Sequence, residues 1–425
     1  MINKLLRRAS IQALLRSTIA GNTGVMTVGI GVQILLQAGY FIVVTRTMGA
    51  RDYGAFVSVS ALATIAAAFA GWGGDQLLIR TVANAPERFS RSMGQALIYF
   101  ALTAPVLVVM GGIVFPFLVD ARISWTAIIV IVISEVVFAR LNNFGVNCFQ
   151  AFERGADMAR LWVLLYAVRA VAALIWRETT ANPNLLSWAW FYMASSLIAG
   201  IVTLVQVFRA LGRPVWQVRW SDWKDGGFFA LQMGSFIGFR DIDKPVVVAL
   251  SSLSEAGLYA AAFRIADVMA VPVRALMYST YVRFFQRGAQ GTRGSLAFAR
   301  RLVPVGVALG IVAGVGILVA TQLAALVLGP NYGGIGPVLL LLTPLPLLYA
   351  LYYIGADALI TGGHVGYRTV IQLLLPALGV GLCAVLVPRY GAAGAAVAAT
   401  CTHLVLVVII WASLLFLAGE EPKAA

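Results

Sequence analysis

The sequence predicts an all-α membrane protein, with about twelve transmembrane helices arranged as two similar six-helix lobes. Three observations carry that prediction. Apolar residues recur in twelve runs, most of them near the roughly 20 residues needed to cross about 30 Å of hydrocarbon. The gaps between the runs are short, and none is long enough to fold alone. The composition fits lipid rather than water: 60% of residues are hydrophobic and 11% are charged, about half the charge of a typical soluble domain. The mean hydropathy is +0.88, and so apolar a chain has too few polar groups to cover a water-facing surface.

The elements follow in chain order. Residues 1–22 form an amphipathic N-terminal segment, in which Leu5, Leu6, Leu14 and Leu15 alternate with Lys4, Arg7, Arg8 and Arg16, a pattern suited to a helix lying on an anionic surface. No cleavable signal pattern is present. The N-terminal lobe spans 23–208, with runs at 23–45, 53–73, 96–119, 124–146, 161–176 and 186–208. A cytoplasmic interfacial linker helix is expected at 209–226, where Trp216, Trp220 and Trp223 fall on one helical face and tryptophan favours the headgroup level. The C-terminal lobe spans 227–418, with runs at 227–250, 257–281, 302–322, 337–361, 365–387 and 393–417, and residues 419–425 form a cytoplasmic tail. The seventh run contains Arg240, Asp241, Asp243 and Lys244. It counts as a span because omitting it breaks the alternation of charge.

That alternation sets the orientation. The chain carries 31 Lys and Arg against 17 Asp and Glu, formally +14. A basic balance can signal nucleic acid. Here the basic residues sit mainly in the gaps, which points to the membrane surface and its anionic lipids and away from nucleic acid. One set of alternate gaps holds 20 of the 31 and the other set holds five, Arg46, Arg51, Arg122, Arg177 and Arg389. The positive-inside rule then places both termini in the cytoplasm. The halves echo each other: Asp52-Tyr-Gly54-Ala-Phe56 follows the first span, and Glu255-Ala-Gly257-Leu-Tyr259 follows the seventh. Six spans per half give both halves the same orientation, a parallel repeat.

Ionisable residues at membrane depth are costly and mark partners or water-filled paths. They are Glu135, Arg140, Arg169, Arg240, Asp241, Asp243, Lys244, Arg264, Asp267, Arg274, Asp357 and His403. Arg264, Asp267 and Arg274 lie near one helical stripe, and Pro245 and Pro272 permit bends in the same spans. The near acid for Arg264 is Asp267, which leaves Arg274 without a local partner. The Arg240–Asp241–Asp243–Lys244 tetrad suits internal pairing and substrate contact about equally. Glu135 and Arg140 form a candidate intra-helix pair. Arg169 has no nearby acid, so it needs a partner on another helix or a polar cavity. Asp357 is a candidate for a coupling cation or for an inter-helix hydrogen bond. Gln33 and Gln37 would line a cavity neutrally or bridge helices. His403 reads as a packing residue. With two histidines, and with Cys148, Cys383 and Cys401 all in apolar runs, no metal, cofactor or catalytic constellation is expected.

Four segments carry a family resemblance: Thr45-Arg-Thr-Met-Gly49-Ala-Arg-Asp-Tyr53-Gly54-Ala-Phe56; Gly71-Trp-Gly-Gly74 with Arg80; Ser254-Glu-Ala-Gly257-Leu-Tyr259; and Val387-Pro-Arg-Tyr390-Gly391-Ala-Ala-Gly394-Ala-Ala396. Through them the whole chain resembles the polysaccharide exporters, or Wzx-type oligosaccharide flippases, of the multidrug/oligosaccharidyl-lipid/polysaccharide (MOP) superfamily. The resemblance implies a MATE-like fold with a central cationic cavity, in the bacterial inner membrane. It implies flipping of an undecaprenyl-pyrophosphate-linked oligosaccharide to the periplasmic leaflet by alternating access, with Arg264 as the cavity arginine of the eighth span. Arg169, Arg240, Arg274 and Lys244 would complete the cationic site, with Asp241, Asp243, Asp267 and Asp357 as pairing or coupling acids. Partners would be membrane lipids, a polysaccharide polymerase, a chain-length regulator and a coupling proton or sodium ion. The first span has no charged residue between Thr23 and Thr45, which argues against the lipid II branch and against drug exporters. The alternatives are a cation-coupled small-molecule exporter and, in another class, a membrane polysaccharide polymerase or ligase. The short outer gaps disfavour the enzyme.

Overall fold

The structure, a computed structural model, describes residues 2–288 and 291–420, and every regular element among them is helical. The side chains that define the amphipathic segment 1–22 lie outside the described residues, as does the tail beyond 420. Fifteen α-helices are present among the described residues: α1 Ile2–Ala67, α2 Gly74–Asn84, α3 Phe89–Leu118, α4 Trp125–Ile133, α5 Arg140–Gln150, α6 Gly155–Thr179, α7 Leu185–Leu211, α8 Trp223–Asp241, α9 Asp243–Leu250, α10 Leu253–Met269, α11 Val271–Gly288, α12 Gly291–Leu328, α13 Ile335–Leu342, α14 Leu345–Thr361 and α15 Val365–Glu420. A π-helical turn, Ser134–Ala139, joins α4 to α5.

Eight described helical stretches are long and apolar enough to cross a membrane, and α10 with the start of α11, bent by 45°, makes a ninth. The longest two each contain a break. Gly49 (φ 75°) divides α1 and Gly391 (φ 54°) divides α15. A side chain is strained at positive φ, so glycine is the residue that lets the chain turn there without leaving its hydrogen-bonded course. With each of these counted as two segments, and α8–α9 carrying the charged tetrad as one more, the architecture is that of about twelve spans. Large apolar side chains such as Leu35, Phe117, Leu326 and Phe416 are exposed, as lipid-facing positions require.

The chain divides into two compact units. The first comprises residues 1–47, 63–116 and 123–234. Its core packs Leu78, Met93, Phe144, Phe149, Leu161 and Val207. The second comprises 48–62, 117–122 and 235–425, around Phe284, Tyr352, Ile354, Leu359, Ile410 and Leu414.

In the second unit the two echoing sequence motifs pack on each other. A Cβ on Gly54 would overlap the Leu253 carbonyl oxygen, and one on Gly257 would overlap that of Ala50. The two glycines let two backbones touch. Beside them Glu255 accepts a hydrogen bond from the Ala392 amide at 2.6 Å. This amide lies just past the Gly391 break, where the restarted helix has unsatisfied donors. Three of the resemblance segments therefore meet at one crossing.

In the first unit the linker departs from the expected helix. Residues 212–219 are not helical, and a single 3₁₀ turn, Trp220–Asp222, precedes α8. Gly212 ends α7 at φ 100°, and Pro214 has no amide hydrogen to continue a helix. The segment is instead strapped to α3. The Val215 amide donates to the Ser90 carbonyl at 2.8 Å, and the Tyr99 hydroxyl donates to the Arg219 carbonyl at 2.9 Å. Trp223 stacks on Trp72 with ring centroids 4.9 Å apart.

Candidate functional site

The intramembrane charges fall into groups that sequence spacing alone does not reveal. In the second unit, α8 and α9 meet at Ile242, in the middle of the charged tetrad, and Pro245 sits in the first turn of α9. Lys244 is buried. Its Nζ donates to Asp241 Oδ1 at 2.9 Å, to Asp243 Oδ1 at 3.0 Å and to the Arg240 carbonyl at 3.1 Å, and it sits over the Phe263 ring. Arg240, largely exposed, reaches Asp241 Oδ2 at 3.1 Å. The Tyr259 hydroxyl donates to Asp243. The tetrad thus pairs internally, and each acid holds at least one cation or donor.

On α10 and α11 the pairing is the reverse of the one expected from spacing. Arg274 takes Asp267, through Nη1 to Oδ1 at 2.6 Å and through Nη2 to the Asp267 carbonyl at 2.8 Å. Pro272 lacks the amide that would continue the ladder. The chain breaks at Ala270 and bends by 45°, which brings Arg274 back onto the acid. Arg264, half-buried on α10, makes no ion pair and no hydrogen bond among the described residues. A guanidinium at this depth is costly without a polar or anionic neighbour, and its planar fork suits paired oxygens.

Asp357 on α14 is buried, and its carboxylate has no hydrogen bond or ion pair among the described residues. The inter-helix hydrogen bond considered for it is therefore absent among them. Its backbone carbonyl is engaged by Thr361 Oγ1 at 2.8 Å. The His403 Nδ1 donates to the Ala399 carbonyl at 2.8 Å, and its ring packs edge-on against Tyr349.

The first unit holds two buried pairs. Arg140 does not pair with Glu135 as spacing suggested. Its Nη2 binds Asp75 Oδ2 at 2.9 Å and its Nε donates to the Ala70 carbonyl at 3.1 Å, while Asn147 donates to the same carboxylate at 2.6 Å. Glu135, in the π turn, faces Arg169 of α6 at 3.5 Å and accepts from the Tyr192 hydroxyl of α7. Arg169 also donates to Ser196 Oγ at 3.2 Å and lies over the Tyr192 ring at 4.2 Å. The need of Arg169 for a partner on another helix is thereby met. Spacing could not supply Glu135, Asp75 or Tyr192 as partners, because each contact crosses between helices. Gln33 and Gln37 of α1 are half-buried and form no hydrogen bond among the described residues. No group of three or more metal-ligating side chains occurs among the described residues.

Comparison with known proteins adds the family and the fold. The model of a family described as polysaccharide biosynthesis protein matches residues 19–284. Among curated proteins, none matches. Similar solved structures include an inward-facing multidrug resistance MATE family transporter of the MOP superfamily, with TM-score 0.71 and 14% identity, covering 92% of this chain and 96% of that one. Another is the lipid II flippase MurJ in an inward closed conformation, with TM-score 0.70 and 12% identity, covering 92% and 87%. A MOP superfamily transporter from Pyrococcus furiosus, described as having a binding pocket of reverse polarity, aligns with TM-score 0.62 and 14% identity over 94% and 95%. At these identities the likeness is one of fold: an all-α, multi-pass membrane protein of MATE-like architecture.

Proposed function

The chain belongs to the polysaccharide biosynthesis protein family, and from that premise we propose that it flips a lipid-linked oligosaccharide repeat unit across the bacterial inner membrane. The substrate is an undecaprenyl-pyrophosphate-linked unit, carried from the cytoplasmic to the periplasmic leaflet for O-antigen, capsule or exopolysaccharide synthesis. The observation that carries this reading is Arg264, a membrane-embedded guanidinium without an anion among the described residues. A pyrophosphate supplies the paired oxygens that a guanidinium binds best. The prenyl tail stays in lipid, so only the headgroup needs a polar path.

Arg264 is the primary anchor in this scheme. Arg274, Arg240 and Lys244 each already hold an acid, so in this scheme they reach the headgroup only by exchanging partners. Binding that favours one opening over the other drives alternating access. Both termini are cytoplasmic, by the distribution of basic residues, and a polymerase and a chain-length regulator act on the delivered unit. Deleting the gene and restoring it as Arg264→Ala tests the reading. The variant should insert at wild-type levels, yield no surface polysaccharide and leave the lipid-linked unit in the inner leaflet. Wild-type polysaccharide output from that variant overturns the role of Arg264.

A second reading, a cation-coupled small-molecule exporter, draws on Asp357, a buried carboxylate with no hydrogen bond or ion pair among the described residues. It requires efflux of a cationic dye that is lost in Asp357→Asn.

A further inference from the structure

The strap between α7 and α8 presents one face to α3 and the other outward, and the two faces differ in kind. The inner face is fixed by backbone bonds at Val215 and Arg219, by the Gln95–Asp222 hydrogen bond at 3.3 Å, and by Trp223 against Trp72. The outer face shows Trp216 and Trp220, 67% and 62% exposed, with Val215 beside them. Arg213, Arg219 and Lys224 are also exposed, and none of the three makes an ion pair among the described residues. The acids nearby are engaged elsewhere, Asp222 with Gln95 and Asp225 with Arg80 at 2.9 Å.

Aromatic side chains and cations without acids, held on an irregular segment at the end of a transmembrane helix, have one complementary environment. Indole rings settle at the headgroup level, and basic residues within a Debye length of an anionic leaflet are attracted to it. The backbone is pinned to α3, and the Trp220 ring leans on Tyr99 and Trp223, with centroids 6.3 and 5.9 Å away, while most of its surface stays open. The ordering cost of binding has largely been met before lipid arrives.

We propose that the strap is a binding site for anionic phospholipid headgroups, with Trp216 and Trp220 at the glycerol level and Arg213, Arg219 and Lys224 on the phosphates. The inference is independent of the transported substrate.

The test uses the full chain reconstituted in phosphatidylcholine bilayers doped with brominated lipid, a quencher of indole emission. The chain has ten tryptophans, so the signal is the difference between the wild type and a Trp216→Phe/Trp220→Phe variant. Brominated phosphatidylglycerol should quench that difference emission at least about threefold more effectively than brominated phosphatidylcholine at equal mole fraction, a floor well below the roughly hundredfold preference that three basic residues near an anionic surface can supply. The preference should vanish in an Arg213→Gln/Arg219→Gln/Lys224→Gln variant and weaken at high salt. Equal quenching by the two lipids, or a preference that survives in the glutamine variant, overturns the proposal. So does relief of quenching by a short-chain prenyl pyrophosphate at mole fractions where unbrominated phosphatidylglycerol has no effect, which would make the strap a substrate port.

Discussion

The two units handle buried charge differently. In the first, both deep arginines have acids: Arg140 holds Asp75, and Arg169 faces Glu135. In the second, the tetrad and the Asp267–Arg274 pair are internally matched, but Arg264 and Asp357 are left over among the described residues. Matched charges fasten helices together, whereas an unmatched cation at membrane depth is available to a ligand. The contrast separates residues whose loss should cost stability from one whose loss should cost transport.

Five substitutions sharpen or break that contrast, and on stability they run from large to negligible. Asp75→Ala removes the acid from a buried Arg140 and should cost about 3–5 kcal/mol, seen as poor membrane accumulation and a lowered melting temperature in detergent. Glu135→Gln should cost about 3 kcal/mol, at the lower end of that range, because the pair is longer and the Tyr192 hydroxyl can still donate to the amide oxygen. Arg274→Gln breaks a partly exposed pair and should cost about 1 kcal/mol after solvent screening. Arg240→Gln, on the exposed side of the tetrad, should stay below about 1 kcal/mol. Arg264→Ala should change the melting temperature least, within about 0.5 kcal/mol, while abolishing polysaccharide export. If Arg264→Ala instead melts like Asp75→Ala, Arg264 is structural and the contrast fails.

Much of the fold was legible because hydropathy depends on composition along the chain, which the bilayer reads directly. The breaks at Gly49 and Gly391 lie within motifs that the sequence already singled out. The candidate site was legible as a set of residues but not as a set of pairs. Spacing gave Asp267 to Arg264, yet the bend at Ala270 gave it to Arg274. Spacing gave Glu135 to Arg140, yet the π turn and the helix crossings gave it to Arg169. The tryptophan periodicity at 216–223 suggested a helix, yet Gly212, Pro214 and hydrogen bonds to α3 produced a strap. In each case a local periodicity assumed an unbroken helix, and a break or a contact from a distant element decided the outcome.

The π turn at Ser134–Ala139 has a consequence for how this helix tolerates length changes. A π turn is in effect one residue more than an α-helix needs over the same rise. Glu135 and Arg140 lie on either side of most of that surplus, and each is committed to a different neighbour, α6 and α7 for one and α2 for the other. The surplus residue therefore acts as a phase shifter between two separate lines of sight. Deleting one residue from the turn would leave an apolar helix still able to span the bilayer, but with one of the two carboxylate–guanidinium contacts rotated out of reach.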